Sequence, residues 1–172
     1  MSTHTVSIDS AGLAELRVKT ERDISATGDP TALDRYILDA AESNGLIAVV
    51  EHTLGPRVLA APLHRHSRED EYSLVLEGRL GVFQDGEEVF AGPGELVLKP
   101  RGHWHTFWNA DSEPLRVLEL ITPGGLEDLF RRLAEPGGDY DPESLPALAA
   151  EYGCEVDFAA TMPLVQRHQL LF

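Results

Sequence analysis

The chain has 172 residues, a length that suits one domain with a single hydrophobic core. Hydrophobic residues make up 42% and charged residues 25%, a balance typical of a folded globular protein and not of a disordered or fibrous one. The 29 Asp and Glu outnumber the 14 Lys and Arg, which gives a formal charge of -15. Because this charge would repel nucleic acid and anionic membrane surfaces, we expect neither as a partner.

The N-terminus and the cysteine content indicate the compartment. Residues 1–10 contain no Lys or Arg and no apolar core, so no secretory signal is predicted, and no run approaches the length of a membrane span. With the single cysteine, Cys154, no internal disulfide can form, and a reducing cytoplasm is the predicted compartment. No Lys, Arg or His flanks Cys154 closely, so we interpret it as a small buried hydrophobic side chain and not as a reactive thiol.

The first part of the chain, residues 1–44, is predicted to be an N-terminal arm. Leu33, Tyr36 and Ile37 have the spacing of one helical face. The same stretch can equally be a strand that enters a hairpin near Gly45. Periodicity alone does not decide between the two, so the conformation of this arm stays open.

Residues 45–123 contain short apolar runs, rich in Val, Leu and aromatic residues, at a spacing of roughly ten residues. Such runs are typical of strands in an antiparallel sandwich or barrel. Gly78, Gly86 and the segment Gly92-Pro93-Gly94 supply turn signals between them. The middle of the chain is therefore predicted to be all-β.

The pattern changes to a helical period after Pro123. One apolar face is formed by Leu126, Leu129, Phe130 and Leu133, and a second amphipathic stretch covers residues 142–152, followed by Gly153 as a C-terminal cap. Residues 124–172 are thus predicted to be an α-helical extension packed on the barrel. The terminal residues are apolar, and we expect them to pack on the barrel or on a second subunit: Leu170, Leu171 and Phe172.

A cluster of metal-ligand residues lies in the β region. His64 and His66 are two residues apart, so in a strand both side chains point to the same face. Glu71 follows shortly, and His105 comes about two strands later, after a predicted turn at Pro100-Arg101-Gly102. Three imidazoles and one carboxylate suit Fe, Ni, Mn, Co, Cu or Zn, and suit calcium or magnesium badly. We predict one divalent transition metal ion on these four residues, with positions left open for water, oxygen or substrate.

These residues resemble, in type and spacing, the two signature motifs of the cupin superfamily. The first motif is matched by His64, His66, Glu71 and Gly78, and the second, at every fixed position, by Gly94, Pro100, Gly102, His105 and Asn109. One departure is Val58, which stands where the first motif opens with glycine. Asp70 would face the other way from Glu71 on a regular strand, and the spacing of the motif selects Glu71.

The resemblance implies an all-β fold, a cupin jelly-roll (double-stranded β-helix) barrel over residues 45–123 with the metal inside its mouth. The surrounding sequence is most similar to small single-barrel cupins of the quercetinase type. Strand alternation then predicts the wall of the substrate pocket, since residues two apart share a face with Glu71 or His105. The predicted substrate-binding residues are Ser73, Val75, Phe83, His103 and Phe107.

Four neighbouring residues are given other roles. Asn109 is interpreted as closing hydrogen bonds at the end of its strand. Trp104 and Trp108 fall on the face opposite to His105, which predicts outer packing or contacts in a homodimer. His52 lacks a partner in either motif, and we interpret it as a bystander.

Three functions remain open from the sequence. The first is a metal-dependent oxidoreductase, a quercetinase-like dioxygenase in which O2 and an enolic or phenolic ring compound meet, with Glu71 as ligand and catalytic base. The second is a redox-neutral isomerase, cyclase or lyase that uses the metal as a Lewis acid. The third is a non-catalytic cupin that binds a small molecule.

Overall fold

The computed structural model describes residues 18–135 and 142–172, and in these ranges the strands form two antiparallel sheets. The six-stranded sheet has the order β1 (Ser25–Asp29), β2 (Ala32–Leu38), β3 (Ala48–Leu54), β10 (Leu115–Thr122), β5 (Asp70–Glu77) and β8 (Leu96–Lys99). The five-stranded sheet has the order β11 (Cys154–Asp157), β4 (Leu63–His66), β9 (His105–Asn109), β6 (Leu80–Gln84) and β7 (Glu87–Ala91). Three helices follow the central strands: α1 (Glu127–Ala134), α2 (Leu145–Glu151) and α3 (Phe158–His168).

The two sheets pack face to face because each strand presents alternate residues to the interior. Val75 of β5 and Val117 of β10 are paired in register, and both are buried in a core shared with Val82 and Phe107 of the other sheet. Two residues further along, the paired inward positions are Ser73 and Glu119, which are polar and also buried. The interior therefore changes from apolar to polar along these strands, and the polar end holds the candidate site.

The predicted turns are confirmed. Asp85 and Gly86 link β6 to β7 with φ angles of 48° and 95°, the left-handed pair that a tight two-residue hairpin requires. Gly78 has a φ of 81° between β5 and β6, and a Cβ there would lie 2.6 Å from the carbonyl oxygen of Pro114. Glycine is thus needed at position 78 both for conformation and for space.

The sheets extend beyond residues 45–123 at both ends. In the predicted N-terminal arm, the sequence did not decide between a helix and a strand around Leu33 and Tyr36. The structure has strand β2 there, which pairs with β3, and β1 pairs with β2 at the edge of the same sheet. From the predicted helical extension, β11 pairs with β4 and places Cys154 opposite His66. Four residues are too few for a periodic signal, so this strand was not predicted from the sequence.

The C-terminal segment confirms two predicted helices, α1 and α2, and adds α3. Asp157 begins α3 by accepting a hydrogen bond from the backbone N–H of Ala160 at 2.8 Å. Leu170 is buried against Trp108. The side chains of Leu171 and Phe172 remain 63% and 54% exposed, although the Leu171 backbone pairs with Val58 and the Phe172 ring contacts Phe158.

Trp108 is 1% exposed beneath this segment, which confirms outer packing for it and removes it as a dimer contact. None of the helices in the described part of the chain is long and apolar enough to cross a membrane.

Candidate metal centre

The fold brings the four predicted ligands together. His64 and His66 are on β4, His105 is directly opposite His64 on β9, and Glu71 reaches in from β5 of the other sheet. One ligand atom from each residue lies within 4.8 Å of the others, and all four residues are buried. Asp70, the neighbouring carboxylate, points away as expected and binds the Arg101 guanidinium at 2.6 Å.

The carboxylate of Glu71 is at the centre of the cluster. Its Oε2 atom lies 2.9 Å from Nε2 of His105 and 3.5 Å from Nε2 of His66. The ring centroids of the three imidazoles are 4.4 to 5.4 Å apart. This spacing lets one nitrogen from each ring and one carboxylate oxygen converge on a single point between the two sheets.

Backbone carbonyls fix the orientation of two rings. Nδ1 of His64 donates to the carbonyl oxygen of Pro62 at 2.7 Å, and Nδ1 of His105 donates to that of His103 at 3.1 Å. Histidines that bind metals commonly donate their other ring nitrogen in this way. Both ring nitrogens of His66 are buried, and neither makes a well-formed hydrogen bond in the described ranges, although Nε2 lies 3.5 Å from Oε2 of Glu71. A buried imidazole without well-formed hydrogen bonds, next to oriented imidazoles, fits a transition metal ion.

The protonation of the cluster follows from its charges. Burial opposes ionisation of Glu71, but the charges of Lys99 and His66 and hydrogen bonds from His105 and His66 outweigh it and hold the pKa of Glu71 well below its usual range. Burial, reinforced by the other two imidazoles, lowers the pKa of His64 far below its usual value, so this ring is neutral. Burial also opposes charge on His66, yet the charge of Glu71 and hydrogen bonds with Cys154 and Glu71 raise its pKa to about 10, so without a metal this ring is protonated. The cluster thus offers an ionised carboxylate and a neutral His64, and metal binding would displace the proton of His66.

A buried lysine beside the cluster was missed in the sequence. Lys99 of β8 is 1% exposed, and its Nζ lies 3.3 Å from Oε2 of Glu71 and 3.0 Å from Oε2 of Glu119. Ser73 donates to the same Glu119 oxygen at 2.7 Å. The sequence gives no signal for this lysine, because alternation on β8 would place the apolar Leu96 and Leu98 inside. The structure leaves both leucines exposed, and Lys99 then faces the interior.

A cavity of about 440 Å³ opens from the cluster, with His64, His66 and Glu71 in its wall. This volume is in the range of small-molecule sites. Most of the remaining wall is apolar, and its residues come mainly from β3, β9, β11 and the helices. They include Leu54, Ala60, Phe107, Leu129, Phe130, Leu133, Leu145, Ala149 and Val156. Polar side chains are few, namely Asp29, Asp34, His52 and Cys154.

Of the five predicted substrate-binding residues, Phe107 lines this cavity. Ser73 and Val75 do face the interior, but Ser73 is fully buried in its bond to Glu119 and Val75 belongs to the apolar core. Alternation gives the face of a strand and not the depth along it, which is why these two lie outside the cavity wall.

Phe83 and His103 are also outside the cavity wall. On β6 the inward residues include Val82, so Phe83 faces outward and packs beside Trp108. His103 precedes β9 and is exposed, with Nδ1 2.5 Å from Asp85 Oδ2. Strand alternation does not hold in the turn before a strand, and this removes His103 from the predicted pocket.

Three other predictions have clear outcomes. Asn109 donates to the carbonyl oxygens of Leu54, Gly55 and Glu113, which confirms its structural role. Cys154 is buried as predicted, and it also lines the cavity. His52, which the sequence leaves without a partner, lines the cavity, and its Nδ1 lies 2.7 Å from Asp34 Oδ1.

Two antiparallel sheets around a buried three-histidine, one-glutamate cluster form a β fold with a candidate metal site. Residues 50–121 match the family model described as a cupin domain, and the fold and the cluster resemble those of cupins of the quercetinase type.

Three similar proteins illustrate the relationship. Quercetin 2,3-dioxygenase of Bacillus subtilis is 29% identical over 116 residues, which cover 67% of this chain and 33% of that protein. The oxidoreductase iacF of Pestalotiopsis fici is 39% identical over 82 residues, covering 46% of this chain and 34% of the relative. The chain thus spans about a third of the length of these curated relatives. Among solved structures, KdgF from Halomonas has a TM-score of 0.54 at 15% identity, with 63% of this chain and 94% of that chain covered, and supports the fold alone.

Proposed function

We propose that the protein is a metal-dependent oxidoreductase, a quercetinase-like dioxygenase that acts on an enolic or phenolic ring compound. The observation that carries the proposal is the position of the four ligands at one end of a largely apolar cavity of about 440 Å³. Such a wall suits a flat, mostly apolar substrate. The similarity to a quercetin dioxygenase and to a fungal oxidoreductase supports the same reaction class.

Each residue of the cluster has a distinct part in this proposal. A divalent transition metal held by His64, His66, Glu71 and His105 would supply Lewis acidity and a place where the ring compound and O2 meet. The three imidazoles would hold the metal ion and orient it. The Glu71 carboxylate takes up the proton of the acidic substrate hydroxyl. Apolar residues on the cavity wall exclude water from the ring.

The experiment that tests the reaction class is oxygen uptake with flavonols, using quercetin as the first substrate. Metal-loaded protein is expected to consume oxygen. Glu71→Gln is expected to lose at least roughly 100-fold in turnover because a general base contributes about that much or more. Its metal content should fall much less, since an amide oxygen can still bind the ion.

His64→Ala serves as the comparison, because it should lose metal and turnover together. If metal-loaded wild type consumes no oxygen with a broad panel of enols and phenols, yet converts a carbonyl compound anaerobically, the redox-neutral function replaces the dioxygenase. A protein that binds such compounds without converting them is the non-catalytic cupin.

A homodimer remains part of the proposal, but with a different surface from Trp108. The edge strands β7 and β8 carry exposed apolar side chains, among them Val89, Leu96 and Leu98 at 46%, 51% and 59% exposure. Burial of these side chains against a second copy would remove them from water. Light scattering is expected to give about twice the 18.9 kDa of one chain, and Leu98→Lys to shift the mass toward one chain. A wild-type mass of a single chain at micromolar concentration contradicts the dimer.

The cytoplasm stays the proposed compartment, supported by the single cysteine, Cys154, which is free.

A further inference from the structure

A polar pair lies in the cavity wall apart from the four ligands. His52 of β3 and Asp34 of β2 are opposite each other in the register of the six-stranded sheet, and both line the cavity. Nδ1 of His52 lies 2.7 Å from Oδ1 of Asp34. Within residues 18–135 and 142–172, no hydrogen bond or ion pair joins His52 to any of the four ligands. The cavity therefore has a polar pair apart from the ligands, in a wall that is mostly apolar and whose other polar side chains are Asp29 and Cys154.

The surroundings of His52 leave one nitrogen available to a ligand. The residue is 7% exposed, and its ring lies against Phe107 and Phe130, with centroid distances of 5.8 and 5.6 Å. Asp34 occupies Nδ1, and Nε2 has no hydrogen-bond partner in the described part of the chain. Nε2 is not among the fully buried side-chain atoms that lack a partner, so it is accessible from the cavity that His52 lines and can bond to a ligand oxygen there.

The charges around His52 let it bond an oxygen in either protonation state. Burial opposes a charge on the ring, but the Asp34 carboxylate outweighs it through its charge and hydrogen bond and raises the pKa of His52. Glu119 adds to this rise and Lys99 opposes it. A protonated His52 donates from Nε2, and a neutral one, with its proton on Nδ1 toward Asp34, accepts there. A phenolic hydroxyl can bond to both forms, whereas a carbonyl oxygen bonds to the first.

We propose that His52, oriented by Asp34, recognises a hydroxyl or carbonyl oxygen on the ring compound and so sets how the substrate lies relative to the four ligands. The neighbouring Phe107 and Phe130 are placed to contact the ring that carries this oxygen. Because most of the rest of the wall is apolar, this pair discriminates between substrates that have the same shape but differ in their oxygen substituents. The inference rests on the proposed function in taking a ring compound as the occupant, but it does not depend on oxygen chemistry.

The test compares the binding of two probes by calorimetry, without oxygen, to metal-loaded protein. The probes are quercetin and 3-hydroxyflavone, which lacks the other phenolic hydroxyls of quercetin. Wild type is expected to bind quercetin at least about tenfold more tightly, and His52→Phe to lose most of that preference while its affinity for 3-hydroxyflavone changes less than about twofold. His52→Gln keeps an N–H donor and should restore part of the preference, which a purely structural role of His52 would not predict.

The matched control is His168→Phe, which removes a histidine paired with Glu88 at 2.9 Å that does not line the cavity, and it should leave the preference intact. An unchanged preference in both His52 variants, or a wild type that binds neither probe or binds both equally, overturns the proposal. A wild type that prefers quercetin but consumes no oxygen overturns the dioxygenase function alone.

Discussion

His66→Ala is expected to weaken metal binding about 100-fold and so to lower the metal retained after purification below the one equivalent per chain of the wild type. The ring of His66 is 2% exposed, and its Nε2 lies 3.5 Å from Oε2 of Glu71, but neither nitrogen makes a well-formed hydrogen bond to the described residues. Four-ligand zinc sites bind with about 10–16 kcal/mol, or roughly 3 kcal/mol per ligand, so the loss of one ligand should weaken binding about 100-fold. Elemental analysis of protein purified without chelator measures the change.

His103→Ala is the matched control for this experiment. His103 is close to His105 in the chain but is exposed and bonded to Asp85, so its removal should leave the metal content unchanged. The metal content of Glu71→Gln should lie between those of His66→Ala and His103→Ala, because its amide oxygen remains a ligand but a weaker one. Equal metal content in wild type, His66→Ala and Glu71→Gln would show that the ion is bound elsewhere or not at all.

Lys99→Met is expected to lower the free energy of unfolding by about 3–5 kcal/mol. The Lys99 ammonium is fully buried, contacts Glu71 and Glu119 at 3.3 and 3.0 Å, and lies 4.4 Å from the centroid of the Phe107 ring. Methionine fills similar space without charge, so two buried carboxylates lose their shared counterion. Urea denaturation of metal-free protein measures the difference without a contribution from metal loss.

The control is Arg65→Met, which breaks the ion pair of Arg65 with Glu155 at 2.8 Å on the surface, where the side chains are 38% and 60% exposed. An exposed pair contributes about 1 kcal/mol or less, so this variant should be nearly neutral. In Lys99→Met, the further change Glu119→Gln should recover part of the loss, since it removes one unpaired charge. A loss of less than about 1 kcal/mol in Lys99→Met would mean that Lys99 does not balance these carboxylates in solution.

The ligand set and the β core could be predicted because both are local properties of the chain. Two histidines two residues apart on a strand must share a face, and glycine at a hairpin must supply a positive φ, wherever the strand lies in the sheet. The spacing from His66 through Glu71 to His105 then carries enough information to match a superfamily before any coordinates are known. The amphipathic helices α1 and α2 were predicted for the same reason.

Which residues line the cavity, and which polar side chains meet in its wall, was determined only by the tertiary structure. His52 and Asp34 are 18 residues apart and meet because β2 pairs with β3, and Cys154 reaches His66 only through the pairing of β11 with β4. Alternation gives the direction of a side chain but not which distant strand or helix lies opposite. For this reason Val75 and Phe83, both predicted to line the pocket, lie in the apolar core and on the outer face of the sheet instead. The sequence by itself determined which residues can bind a metal, and long-range pairing determined what else faces the cavity beside them.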